Sequence, residues 1–465
     1  MDTLVEEAGG RRGVDAAWSI GVDFGTAFSK AAATRVTTDQ GGALREMTPL
    51  RLGEAAGWDR PFLIPSSIYL DRARVHFGHH AVTRILEAEQ DNRELARSFK
   101  TVLGAHNFEG ALDFYPTKNV DPDRVFRLRD LIVLFLAYLL ALIERAAARA
   151  YAYEPGGVIE ASRICFSRPG WIPSRVAATH DAMMHLFSQA HLVNAALGAM
   201  LLDLEGVEYS YARAALDGAA AAPSLFQNLD GGIYEASAVG LCHLSDKNAP
   251  KCLLVVDVGG GTTDIAGLMR APGSEHIRVV RTARRTIDVA GDDFDAALLD
   301  YLIAKSRLRG KAEQTALWRR LLPRIRDLKE EIFERGSARF SGGGVTIRCS
   351  AGEFERQPSF RAVLKDIIRT YDRSLDEVLR NCRRERIRQL GVVIAGGGSR
   401  LPALRRAVTR PRWNTHGVRI VHLPTTPRWG NALASAAHFD ALFAQLSAAF
   451  GAAISSSEFS RSVQV

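Results

Sequence analysis

The stretch Asp257-Val-Gly-Gly-Gly-Thr-Thr-Asp264 carries the densest chemistry in the sequence. Gly259, Gly260 and Gly261 permit positive φ and remove the side chains that would block a close ligand. Backbone N–H groups in such a turn form an anion cradle, and the Thr262 and Thr263 hydroxyls add donors for phosphate oxygens. Asp257 and Asp264 repel phosphate unless a divalent cation stands between. Mg2+ takes one or two carboxylates together with waters and phosphates, which is the combination offered here. A second turn, Asp23-Phe-Gly25-Thr26, has the same carboxylate, glycine, threonine order 234 residues earlier. By itself it reads equally well as a hairpin turn; the pairing gives it weight. A third stretch, Ala395 to Pro402, sets Gly396, Gly397 and Gly398 with Ser399 and Arg400 between an apolar run and a helix signal. That arrangement suits a purine and ribose lying against backbone. Two other nucleotide folds fail on residues. A dinucleotide fingerprint needs glycine where Asp264 stands, and no G-x-x-x-x-G-K-[ST] string occurs.

The turns need rigid strands on either side. WSIGVDFGTAFSKAAA, from Trp18, predicts two strands joined by a tight turn, and KCLLVVDVGGGTTDIAGLM repeats the pattern. A duplicated lobe with two facing turns accounts for this better than a row of unrelated domains. Helices are expected over about 81–104, Leu128 to Tyr151, 312–335, two over 360–388, and a last one over 430–450. A strand over RICFSRPG and β-rich residues at 276–288 and 338–350 complete the pattern. Residues 190–232 are Ala- and Gly-rich with little periodicity and read as an insertion or mobile loop. The first 17 residues read as a loose leader, and residues 451–465 as a frayed tail.

Composition narrows the class. The chain has 465 residues, 47% hydrophobic and 24% charged, which excludes a disordered or collagenous protein. The net charge of +8 is spread with both signs interspersed. No block of five like charges occurs, so neither nucleic acid nor membrane is an expected partner. Five cysteines lie far apart without metal spacing and suit buried thiols in a reducing cytoplasm. The N-terminus lacks the apolar core of a secretory signal. The longest apolar run, Leu131 to Ile143, has 13 residues, against the ~20 of a membrane span. It reads as a buried helix, and the protein as cytoplasmic.

Taken in order, IGVDFGTAFS, VVDVGGGTTDIAGL and IAGGGSRLP resemble the two phosphate motifs and the adenosine motif of the DnaK-type heat-shock protein 70 family. That family belongs to the actin-like ATPase superfamily. Secondary similarities lie between them: SRVAATHDA, GDDFDAALL, Lys100-Thr-Val-Leu-Gly104 and EASAVGL. The resemblance spans about residues 18–445. It implies an α/β, two-lobed, ribonuclease H-like fold of duplicated mixed sheets flanked by helices, with a nucleotide cleft between the lobes. The first lobe is expected over 18–246, with the insertion at 190–232. The second is expected over 247–420, and a helix at 421–450 returns to the first. It implies ATP or ADP with Mg2+ as ligands. Asp23 and Asp257, with Asp264, are implied at the cation. Gly25, Thr26, Gly259 to Thr263, Gly396 to Arg400 and Lys329 are implied at the nucleotide. Lys100 is implied at the terminal phosphate and Glu235 at the attacking water. Lys30 matches a phosphate-contacting lysine of actin relatives instead.

The departures are specific. Ala27 stands where the family has a second threonine, Ala236 replaces a proline, and Pro427-Arg428-Trp429 replaces Pro-Asp-Glu. The adenine helix keeps only Lys329 of its pattern, beside Arg326, Glu330 and Phe333, so its adenine contacts differ. Residues 170–234 are several dozen longer than the family's equivalent. About fifteen residues follow the last expected helix, too few for a peptide-binding domain. The expectation is therefore a slow, chaperone-like ATPase acting as a switch for an unidentified protein partner or client. A filament-forming relative, a small-molecule kinase of the same fold and a nucleotide-binding scaffold with little turnover are the alternatives.

Overall fold

A computed structural model describes residues 18–39, 42–88, 93–104, 108–151, 158–159, 162–170, 176–222, 226–245, 248–270, 277–411, 415–433 and 439–458. The expected leader and residues 459–465 of the expected tail lie outside them. The fold is mixed α/β and contains two large sheets. In the first, the strands run Leu229–Tyr234, Ser162–Arg168, Trp18–Asp23, Phe28–Asp39, Gly42–Pro49, with short Ile64–Pro65 pairing to Phe28–Asp39. In the second they run Arg419–His422, Gln389–Ala395, Cys252–Val258, Thr263–Arg270, Ile277–Ile287. Both sheets share one plan: three parallel strands, then two antiparallel neighbours formed by a meander. The strand that carries the aspartate of each turn, Asp23 or Asp257, is the middle strand of five. Strands in that position are covered on both faces and read as continuous apolar runs; Trp18–Asp23 and Cys252–Val258 are buried throughout.

Two helices connect the sheets. Glu235–Leu244 is buried along its whole length and packs on Cys252–Val258 and Thr263–Arg270 of the second sheet. It also packs on Phe439–Glu458, which lies against Trp18–Asp23 of the first. Glycine makes these approaches possible. A Cβ on Gly21 would stand 1.9 Å from Ala449 O, and one on Gly451 would stand 1.8 Å from Ala238 O.

The helix Leu128–Tyr151 forms as expected. It is long and apolar enough to cross a membrane by length and composition, yet 89% of its most apolar window is buried inside the fold. All five cysteines are buried free thiols.

Several expected elements need correction. The described residues of 190–232, which are 190–222 and 226–232, form helices, a 3-10 turn and strands rather than a pattern-poor loop. Helix Val176–Leu197 runs into them, a 3-10 turn spans Gly198–Leu202, helix Tyr209–Ala221 follows, and Leu229–Tyr234 is an edge strand. Their periodicity is carried by alanine: Ala190, Ala212, Ala215 and Ala219 are buried in the first core. Region 81–104 is split into helix Gly78–Glu87, strand Ala96–Arg97 and helix Phe99–Gly104. Pro323 breaks the 312–335 helix into Lys311–Leu321 and Ile325–Arg335. The second helix expected over 360–388 is absent, because Pro358–Arg384 is one helix opened by proline at its first position. The last helix starts at Phe439 and reaches Glu458, so the first part of the expected tail is helical, held by buried Ala452, Ala453 and Ile454.

Gly451→Val forces a branched side chain into backbone. It should lower the unfolding free energy by about 2 kcal/mol or more, read as a fall in the urea midpoint. Gly218→Ala, in helix Tyr209–Ala221 with open space at its Cβ, should leave the midpoint unchanged or raise it.

Candidate functional site

The site forms where the two glycine turns meet. A Cβ on Gly260 would lie 3.1 Å from both Ala27 N and Ala27 Cβ and 3.3 Å from Thr26 Cβ. The first turn is fixed from below by Phe24, whose buried ring lies 5.8 Å from that of Phe135 on the long buried helix. Phe99 also lies 5.8 Å from Phe135. One core aromatic ring therefore sets the height of both Asp23 and Lys100, the residues next in sequence to Phe24 and Phe99.

Asp23 faces Lys30 directly across the antiparallel pair, and Lys30 Nζ donates to Asp23 Oδ2 at 2.5 Å. Ser167 Oγ donates to Asp23 Oδ1 at 2.7 Å from the neighbouring parallel strand. Lys100 Nζ stands 3.6 Å from the same oxygen and is ion-paired with Glu235. Burial raises the Asp23 carboxyl, but Lys30 and Lys100, with the hydrogen bonds from Lys30 and Ser167, reverse this and bring it down to about 2. Lys100 is desolvated, yet Glu235 and Asp23 hold its pKa above the ordinary lysine value.

Glu235 is the first residue of its helix, where the helix dipole favours a carboxylate. Tyr234 holds that start in place, its hydroxyl 2.8 Å from Arg285 O and 3.3 Å from Ile265 O in the second sheet. Burial pushes the Glu235 carboxyl up; Lys100 opposes this, while Asp264 and Asp23 add to it, and it comes to about 7.

Asp257 occupies in the second sheet the position of Asp23 in the first, and its cross-strand partner is Asp264. Burial, then the Glu235, Asp23 and Asp264 charges, raise the Asp257 carboxyl well above its usual range. Asp264 is served by the protein itself. Its Oδ2 accepts from Thr262 Oγ1 at 2.8 Å, and its Oδ1 from Thr286 Oγ1 at 2.6 Å and Gly170 N at 3.1 Å.

The cleft is lined by Asp23, Gly25, Thr26, Lys30, Lys100 and Glu235 from the first part of the chain. From the second come Asp257, Gly259, Gly260, Thr262 and Lys329, with Gly396, Gly397, Gly398 and Arg400. Gly261, Thr263, Asp264 and Ser399 do not line it. Thr263 is buried and its hydroxyl donates to Val289 O at 2.6 Å; Ser399 is buried. Asp264 is thus a charge behind the wall rather than a ligand on it. Gly396, at φ +75°, is required by contact: a Cβ there would lie 2.3 Å from Val258 O and 2.4 Å from Asp257 Oδ1.

Sequence reasoning missed part of the wall. Gly291 and Asp292 cap the second turn, with Gly291 N donating to Gly259 O at 3.1 Å and Asp292 N to Gly260 O at 2.7 Å. Lys329 Nζ lies 2.7 Å from Asp295 Oδ1 and donates to Gly291 O at 2.9 Å. Arg326 Nη2 donates to Asp292 Oδ1 at 2.9 Å. The acidic run in GDDFDAALL was the available signal for these partners. Gln445, on the last helix, also lines the cleft, and no signal marked it out from core.

The donor set suits a magnesium ion. With every group ionised, Asp23, Glu235, Asp257 and Asp264 carry two more charges than Lys30 and Lys100 neutralise, which one divalent cation balances. Among the described residues no three His, Cys, Asp or Glu side chains form a ready metal centre.

A family model described as Hsp70 protein matches residues 232–412. Over this stretch the chain is similar to Hsp70-family proteins. Curated proteins named chaperone protein HscA homolog are similar to it. The identity is 29% over 178 residues in Acidovorax sp. (strain JS42), covering 38% of this chain and 27% of that protein. It is 29% over 182 residues in Burkholderia pseudomallei (strain 668), covering 38% and 28%. In Verminephrobacter eiseniae (strain EF01-2) it is 30% over 181 residues, again 38% and 28%. The matched segment is thus about a quarter of each relative's length. Hsp70-family proteins are chaperone-type ATPases that use ATP and ADP. Within the Hsp70 match lie Glu235, Asp257, the second turn and the third; Asp23, Lys30 and Lys100 lie before it and reach the same cleft through the fold.

Glu235 gives a pH signature. Its folded pKa of about 7 lies above the model-peptide 4.5, so folding binds a proton here. The carboxyl's contribution to stability is complete below pH 4.5 and is lost as pH rises through 7. Wild type should lose urea resistance between those limits relative to Glu235→Gln, and a pH-independent difference in midpoint would refute this assignment.

Proposed function

We propose that the protein is a two-lobed, actin-like ATPase of the heat-shock 70 type. ATP would be held in the cleft, and hydrolysis would act as a conformational switch for a protein partner. The first lobe is built on residues 18–246, the second on 247–420, and the segment 421–450 returns to the first. The observation that carries the reading is the Lys100–Glu235 ion pair set beside Asp23 and Asp257 where two glycine turns touch.

Phosphoryl transfer to water needs positioning and charge stabilisation more than covalent chemistry. Backbone N–H groups of the two turns, with Thr26 and Thr262, would cradle the phosphates. Lys100 stays protonated and offers its ammonium to the terminal phosphate. Lys30 supplies a second cation from the opposite side of Asp23. Glu235, released from Lys100 when phosphate takes the ammonium, becomes the base that orients water and accepts its proton. Asp23 and Asp257 would hold Mg2+, which neutralises charge on the phosphate oxygens. Gly396 to Gly398, Arg400 and Gln445 would lie along the nucleoside, with Phe333 offering an aromatic face.

The switch has contacts to break. Arg60 reaches Asp327 at 2.9 Å and Glu330 at 3.1 Å, and Ser98 Oγ donates to Asp292 Oδ2 at 3.2 Å. These join residues on the first side of the cleft to the second. Half-exposed ion pairs contribute roughly 0–1 kcal/mol each, which suits a closure that must reverse. Cytoplasmic location and a protein client follow from the same reading.

Steady-state hydrolysis tests it. Lys100→Ala and Glu235→Gln should each lower the ATP turnover number by about 100-fold or more, and Asp257→Asn should weaken Mg2+-dependent ATP binding measured by calorimetry. Equal rates for wild type and all variants would refute the proposal.

A further inference from the structure

Ser98 joins strand Ala96–Arg97 to helix Phe99–Gly104 in the left-handed region, at φ +59°. Glycine and asparagine settle there readily. For serine the conformation is strained, and it persists only where surrounding contacts hold it. The contact that holds it crosses the cleft: Ser98 Oγ donates to Asp292 Oδ2 at 3.2 Å. The other oxygen, Asp292 Oδ1, accepts from Arg326 Nη2 at 2.9 Å, so both sides of the carboxylate are engaged. Asp292 is also fixed by its backbone, whose N–H donates to Gly260 O of the second glycine turn at 2.7 Å. Arg97, the residue before Ser98, lies beside the Asp292 and Asp295 charges. Two adjacent residues on the first side of the cleft thus face the start of helix Gly291–Ser306.

Lys100 stands two residues further along the chain. Phe99 against Phe135 sets how deep Lys100 lies, but apolar burial is not directional and fixes no position along the cleft. The Ser98 hydrogen bond is directional, and only Phe99 separates it from Lys100. At its far end it holds a residue bonded to the second turn.

We propose, on the ATPase reading above, that Ser98 is a positioning residue for hydrolysis: through Asp292 it ties Lys100 to the second glycine turn. Phosphate seated in that turn then meets the ammonium in register. Ser98 does not itself line the cleft, so it acts through Lys100. A misplacement of about 1 Å at a reacting group costs about 100-fold in rate. One hydrogen bond therefore has more influence on turnover than on the stability of the fold.

The test is steady-state ATP hydrolysis by the full chain. Ser98→Gly removes the hydroxyl while suiting the left-handed backbone, so the fold is kept. It should lower the turnover number about tenfold or more and leave KM for ATP within about threefold of wild type. Ser98→Asn also accepts the left-handed region and brings an N–H donor, and it should restore turnover to within about threefold of wild type. In a Lys100→Ala chain, Ser98→Gly should have no further effect, because the group it positions is gone. Arg307→Gly makes the same change at an exposed left-handed residue at the far end of helix Gly291–Ser306 and should leave turnover unchanged. Three results would overturn the proposal: wild-type turnover in Ser98→Gly while Lys100→Ala is impaired, no recovery in Ser98→Asn, or a further fall when Ser98→Gly is added to Lys100→Ala. A Lys100→Ala chain as active as wild type would instead overturn the ATPase reading, and this assignment with it.

Discussion

Six ionisable side chains share one buried space at the junction of the two sheets, and their mutual balance governs the rest of the molecule. Asp23, Glu235, Asp257 and Asp264 stand with Lys30 and Lys100 among residues that are all but one less than 10% exposed. Desolvating a charge costs several kcal/mol unless partners restore what water supplied. All of these groups but Asp257 are held by a side chain or backbone group of another residue. Asp23 is held by Ser167 and Lys30, Asp264 by two threonine hydroxyls and a backbone N–H, and Glu235 by Lys100. These partners come from strands and helices far apart in sequence. The cluster forms only when both sheets and the two helices between them are in place.

The duplicated plan makes one difference between the halves meaningful. Each central strand carries an aspartate at or next to its end, and each aspartate faces a residue seven positions later across the hairpin. In the first sheet that residue is Lys30; in the second it is Asp264. The first pair attracts, and Asp23 is driven low. Like charges opposed on one sheet face are unfavourable; burial, then the Glu235 and Asp23 charges, drive the Asp257 carboxyl up, and the facing Asp264 adds to this. The same backbone thus presents a neutralised carboxylate on one side of the cleft and an under-compensated one on the other. A ligand bearing positive charge gains most on the Asp257 side, and phosphate oxygens gain most beside Lys30 and Lys100.

How much of this was legible in the sequence depends on what fixes each element. The glycine turns were legible because backbone contact leaves no alternative: Gly25, Gly260 and Gly396 each face atoms that a Cβ would strike. The helix Leu128–Tyr151 was legible from its unbroken apolar run. Residues 190–232 were misread because alanine fills tight helix contacts without producing a strong apolar stripe. The cleft's second wall was half legible. The chain shows Lys329 and Arg326, but their ties to Asp292 and Asp295 depend on a helix packing that local pattern does not encode. Gln445 lies on the face of a helix whose other positions are core, and a single polar residue there carries no distinguishing period.

The Hsp70 match covers residues 232–412, yet half the charged cluster lies before it. The two halves reach the same cleft by different contacts. In the second half, the glycine and hydroxyl turns sit in close backbone contact, where a Cβ on Gly396 would meet Val258 O at 2.3 Å. In the first half, the same geometry is reached through packing, where Phe135 supports both Phe24 and Phe99, and volume-conserving hydrophobic exchanges are tolerated. The convergence of Lys100 on Glu235 is one contact that joins the residues before the match to the matched stretch, and neither residue alone has a stable reason to be buried.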